Sequence, residues 1–216
     1  MQKALVIKEL RESAGIVILA VFGVAYLLAE LTATPIMPWQ NSYLYTYPFV
    51  WDSTQTYLWY LGGALGLALG FRQTAWELSH GTYFFLLHRP ISRRAVFGVK
   101  LLVGLTLLML ITALLIALFT WWSTTPGHFD APFFLSMTVP AWRTWVALPP
   151  LYLGAFLAGI RPGRWFGSRL VPLVAGFLAA VAASNMPWFW LSAALSIAAS
   201  TLLVVAIFYY VQVRDY

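Results

Sequence analysis

The chain has 216 residues, 61% of them hydrophobic and only 9% charged, with a formal charge of +6 and no cysteine. Soluble domains carry about 25% charged residues, and a globule of this length has too little interior to hide such an apolar surplus, so a soluble fold is excluded. Without cysteine, disulfides, thiolate metal sites and cysteine nucleophiles are excluded too.

The N-terminal "MQKALVIKELRES" places acids Glu9 and Glu12 ahead of a long apolar run that has no A-x-A cleavage site. A secretory signal would show neither feature. The segment reads as an uncleaved amphipathic helix over 1–13, lying on the cytoplasmic face. Leu5 and Leu10 then face lipid while Lys3, Lys8 and Arg11 reach phosphate; a frayed terminus is the alternative.

A helix needs about 20 apolar residues to cross a hydrocarbon core. Six stretches meet or approach that length: Ala14–Leu31, Thr56–Phe71, Leu101–Trp122, Thr144–Ile160, Leu170–Ser184 and Trp188–Val211. The expected architecture is thus an all-α integral membrane protein, a single domain over 1–216 with both termini cytoplasmic. Pro149 and Pro150 should kink or loosen the fourth span near its outer end. With the N-terminus inside, twelve of the thirteen Lys and Arg fall in cytoplasmic segments and only Arg143 falls outside. The positive-inside rule favours that orientation. The positive charge is then a topology signal and an attraction to anionic lipid heads, and no nucleic-acid partner is expected.

The first outside loop, "TPIMPWQNSYLYTYPFVWDST", is dense in Trp, Tyr and Pro and reads as an interfacial aromatic belt; a substrate-gripping patch is the alternative. In the second span Gly62, Gly66 and Gly70 recur every four residues, a spacing that lets helix backbones approach closely in lipid. Their partner is either a neighbouring helix of the same chain or a second subunit.

Catalytic signatures are missing. His80 and His88 lie in a cytoplasmic segment and His128 in an outside loop, so no pair sits at membrane depth for haem or metal. The chain has no G-x-S-G, no H-E-x-x-H and no phosphate-cradling G-x-x-x-x-G-K-[ST]. No cofactor or metal is expected, and no ATP hydrolysis by this chain itself. With no carboxylate at mid-span, a proton-driven carrier also loses support.

The stretch "ELSHGTYFFLLHRPISRRAVFGVK", Glu77 to Lys100, interrupts the apolar pattern. Gly81 and Thr82 can break the preceding helix, with Thr82 capping a new short one through Tyr83–Leu87. Pro90 forbids its continuation, and Ser92 can cap a helix running from Arg93 to Trp122. That helix would span about 45 Å and so project into the cytoplasm. Arg93 and Arg94 oppose its dipole at a cost of about 0.3–1 kcal/mol each. A basic loop that merely orients the protein accounts for the charges. It does not account for five apolar residues exposed beside them, which read as a docking surface.

The pattern E-x-x-x-G-T-x-x-x-L-L-x-x-P-I-S-R followed by Lys100 resembles the coupling-helix region of ABC-2-type transporter permeases. Glu77, Gly81, Thr82, Leu86, Leu87, Pro90, Ile91, Ser92, Arg93 and Lys100 carry it. The order of an amphipathic N-terminal helix, two spans, a cytoplasmic element over 74–92 and four further spans is similar to the family plan.

The resemblance implies a permease of a bacterial plasma or inner membrane. Its cytoplasmic element would sit in a groove of a separate ATP-binding subunit, and a second permease half, identical or related, would complete the pathway. On that reading Glu77, Arg89 and Arg93 make polar contacts across the joint. Phe84, Phe85 and Leu87 form its buried anchor, with Gly81, Thr82, Tyr83 and Pro90 shaping it. Many members that move polysaccharide or lipid carry re-entrant helices in the last outside loop, whereas here it is only "NMPW". The alternative is a six-helix membrane module that binds a small nutrient for uptake; an intramembrane enzyme lacks a nucleophile–base set.

Overall fold

Long apolar runs with few breakers become long helices. The computed structural model describes residues 2–34, 48–49, 53–77, 92–128, 132–161 and 167–213. Among them are seven α-helices and no strand: α1 Gln2–Leu31, α2 Ser53–Phe71, α3 Arg93–Ser123, α4 Val139–Ala147, α5 Pro149–Ile160, α6 Val171–Ser184 and α7 Phe189–Val213. Three of these, over Lys3–Leu31, Arg93–Ser123 and Phe189–Val213, are long and apolar enough to cross a membrane. Large apolar side chains such as Phe22, Leu110, Leu178 and Leu202 point outward, as lipid rather than water would require.

Nothing between Gln2 and Leu31 is a proline, and α1 runs unbroken for 30 residues. The described part of the expected interfacial helix therefore continues straight into the apolar run. Leu5, expected to face lipid, is instead buried against Val96 of α3; Leu10 is exposed. At the start of α3, the Ser92 hydroxyl accepts from the Ala95 amide at 3.4 Å, and the helix continues for 31 residues.

The proline pair separates α4 from α5. Proline has no amide to donate, so the carbonyls of Trp145 and Val146 lose their ordinary i+4 partners. Trp145 O is taken by the Leu148 amide at 3.3 Å, and Val146 O by the Ser196 hydroxyl of α7 at 2.6 Å. The break is thereby satisfied from inside the bundle.

Beyond the break, α5 is the centre of the molecule, with every residue from Pro150 to Ile160 buried. It lies between α2, α6 and α7. Glycines permit that enclosure. A methyl on Gly70 would meet Ala155 Cβ at 2.8 Å, and one on Gly154 would meet the Pro172 carbonyl oxygen at 2.6 Å. Gly62 and Gly66 likewise face Leu148 and Tyr152. The glycine face of α2 thus abuts this chain's own central segment.

Arginines tie the turns. Arg143 donates to Met186 O at 2.7 Å and Pro187 O at 3.1 Å, holding the α6–α7 turn. Arg169 donates to Ala158 O and Gly159 O, both at 3.0 Å, at the C-terminus of α5, where a cation suits the helix dipole.

Most of the proposed aromatic belt lies outside the described residues. Phe49, which is described, is buried with its ring 4.7 Å from that of Phe119, so this member of the belt serves as packing.

Candidate functional site

Polar side chains from four helices meet at the charged ends of α1, α2 and α3. Glu9 lies about one and a half turns before the apolar part of α1, and Lys100 about two turns into α3. Glu77 lies just past the end of α2. The Lys100 ammonium, wholly buried, donates to Glu9 Oε1 at 2.7 Å and to Glu77 Oε1 at 2.6 Å. Lys8 adds contacts of 3.2 Å to Glu77, 3.3 Å to Glu12 and 3.7 Å to Glu9. Both Lys8 and Glu12 are about one-third exposed, so the cluster grades from a dry pair to a wet rim.

Helix lengths place these groups at one level. At 1.5 Å per residue, Glu9 lies about 33 Å from Leu31 and Lys100 about 35 Å from Ser123. Both distances slightly exceed a hydrocarbon core of about 30 Å. In a helix that crosses a bilayer, such a distance places the network where apolar and polar surroundings meet, not at mid-depth.

A π-helical turn over Arg72–Trp76 aims the α2 side of the site. In an uninterrupted α-helix Glu77, seven residues beyond Gly70, would return to the face that packs on α5. One extra residue in the turn rotates the residues beyond it by about 100°, and Glu77 meets α1 and α3 instead. Within the turn, Thr74 donates from its hydroxyl to Gly70 O at 2.6 Å, a back-bond that bends helices. Thr74 also nests against Gly159 of α5, where a methyl would collide with its hydroxyl.

Below the ion pairs lies a second polar layer. Gln73 donates to Lys100 O at 3.1 Å and accepts from the Tyr152 hydroxyl at 2.7 Å. Gly104 leaves the room this pair needs, since a methyl there would overlap the Tyr152 hydroxyl and lie 2.5 Å from Gln73 Oε1. Glu9, Lys100, Gln73 and Tyr152 thus join α1, α3, the π turn and α5.

Chemically this is a clasp. Oxygens of Glu9, Glu12 and Glu77 lie within 4.8 Å of one another, a spacing a hard cation could use, but here Lys8 and Lys100 supply the countercharge. The arrangement offers no nucleophile with a base. It fixes the relative positions of three helix ends.

Of the residues expected at a partner joint, Glu77 is buried in this network and Arg93 is exposed in the first turn of α3. Gly81, Thr82, Tyr83, Phe84, Phe85, Leu87, Arg89 and Pro90 lie outside the described residues. Lys8, expected to reach phosphate, turns to three carboxylates instead.

Sequence reasoning missed Glu9, Gln73, Gly104 and Tyr152. The available signal was a lysine deep in an apolar helix together with acids at the border of another, two groups that each need a partner.

No family model, curated protein or solved structure matches the chain.

Proposed function

We propose that the chain is the permease subunit of an ATP-driven ABC-2-type transporter, paired with a second permease half and driven by a separate ATP-binding subunit. On this reading the bacterial plasma membrane is crossed six times: by α1, by α2 with its π turn, by α3, by α4 and α5 together, by α6 and by α7. The segment between Glu77 and Ser92 faces the cytoplasm and receives the motor.

The observation that carries the reading is the bond between Lys100 and Glu77, joined by Glu9. Glu77 opens the segment that resembles a coupling region, and Lys100 lies just past its close. A force applied between them reaches α2 and α3 through a common buried charge, and reaches α1 through Glu9. A clasp of this kind lets a push on one short element move three helices together. The energy comes from the different affinity of the partner's ATP-bound and ATP-free states for that element. Phe84, Phe85 and Leu87 supply its anchor, and Arg89 and Arg93 its polar contacts.

The test is co-purification from native membranes, with bound nucleotide-binding proteins identified by photolabelling with an azido-ATP. Wild-type chain should bring down a labelled ATPase. A variant with polar residues over Tyr83–Leu87, still monodisperse on size exclusion, should not. Equal recovery from both, or no labelled protein with the wild type, overturns the reading.

A further inference from the structure

The helices α1 and α2 come close near Gly23, and α1 is tied again to Glu77 beyond the π turn that follows α2. At one end a methyl on Gly23 would meet Leu61 Cδ1 at 3.1 Å. At the other, Lys8 bonds Glu77 at 3.2 Å. Between these contacts a cavity of about 230 Å³ opens on the surface, bordered by Ile16, Leu19 and Ala20 of α1 and by Leu61, Ala64 and Ala68 of α2. The three alanines leave the gap, since longer side chains at those positions would close it. Every lining residue is apolar, so the groove suits hydrocarbon.

What stands at its charged end selects the occupant. Arg72 lies one helical turn beyond Ala68, stacks 5.1 Å over the Trp76 ring, and makes no ion pair among the described residues. An apolar slot followed by a guanidinium beside an exposed indole is the order in which a phospholipid presents acyl chain and phosphate. The slot lies on the hydrocarbon side of the ion network, and Arg72, next to Gln73 of the second polar layer, lies between the two. A charge at that depth attracts anionic lipid.

We infer that the α1–α2 groove holds one acyl chain of an anionic phospholipid from the leaflet on the Arg72 side, with its phosphate on Arg72. The inference rests on α1 and α2 crossing a bilayer, and not on the transport reading. The lipid acts as a wedge that keeps the two helices at their spacing between the Gly23 contact and the ion network.

Native mass spectrometry of the full chain, purified in mild detergent from vesicles of equal phosphatidylglycerol and phosphatidylethanolamine, reads the occupant directly. The wild type should retain one phospholipid, mainly phosphatidylglycerol. Ala68→Leu and Ala64→Leu fill the slot from exposed positions and should release it while size exclusion stays unchanged. Arg72→Gln should keep a lipid but lower the phosphatidylglycerol preference about fivefold. A bare wild-type chain, or a lipid that survives Ala68→Leu, overturns the site. An unchanged preference in Arg72→Gln overturns the phosphate assignment. ATPase co-purification is a separate readout, so its failure leaves the lipid result standing.

Discussion

Ser196 donates its hydroxyl to Val146 O at 2.6 Å, the carbonyl that Pro150 leaves without an amide. A buried helix break persists only where something replaces the lost backbone bonds, and here a side chain from α7 does so. Ser196→Ala should therefore destabilise the protein by about 1 kcal/mol in thermal melts in detergent. In a Pro150→Ala background, which returns an amide to that carbonyl, the same change should cost close to nothing. Equal losses in both backgrounds would show that the bond does not compensate for the proline.

Removing the cation from the buried clasp leaves two carboxylates in a dry site. Lys100→Met should cost about 3–5 kcal/mol, seen as a large drop in melting temperature. The triple variant Glu9→Gln, Lys100→Met, Glu77→Gln should recover most of the loss, because it removes the stranded charge. Lys3→Met, at an exposed position, should stay within about 0.5 kcal/mol of wild type. A single variant that melts like wild type would contradict the burial of this pair.

Two glycines of α3 offer a matched comparison. A methyl on Gly104 collides with Tyr152 and Gln73, whereas one on Gly98 meets nothing within 4 Å. Gly104→Ala should destabilise by about 1–3 kcal/mol. Gly98→Ala should be neutral or gain up to about 1 kcal/mol from the better helix former. The melting temperatures of the two proteins should move apart, and coincidence would count against the second polar layer.

Because the chain has no cysteine, single reporters are clean. Arg94→Cys and Thr125→Cys lie at opposite ends of α3, both at exposed positions. In cells, a membrane-impermeant maleimide should label Thr125→Cys, and Arg94→Cys only after permeabilisation. Labelling of both from outside would remove the orientation on which the permease reading depends.

Local chemistry is legible in the sequence where one residue decides one bond. Ser92 starts α3 and the proline pair ends α4, because capping and a missing amide act within a turn. The apolar runs likewise announce long helices. The π turn is not legible: Arg72–Trp76 has ordinary helix-forming residues, and its widening answers to Thr74 packing on Gly159 of a distant segment. Nor is the pairing of Lys100 with Glu9, 91 positions apart. Charge at a membrane border has two satisfactory fates, lipid phosphate or an internal partner, and residue type alone does not choose. Leu5 carries the same ambiguity: its place on an amphipathic helix suits lipid, yet Val96 of α3 covers it.

The enclosure of α5 bears on how the molecule is made. This segment leaves the ribosome before α6 and α7, two of the helices that wrap it, so for a time Gly154 and the Pro150 carbonyl have only lipid or translocation machinery beside them. The last quarter of the chain is what shuts the bundle. A polypeptide cut after Ile160 would expose its own middle, and such fragments should be early substrates for membrane quality control.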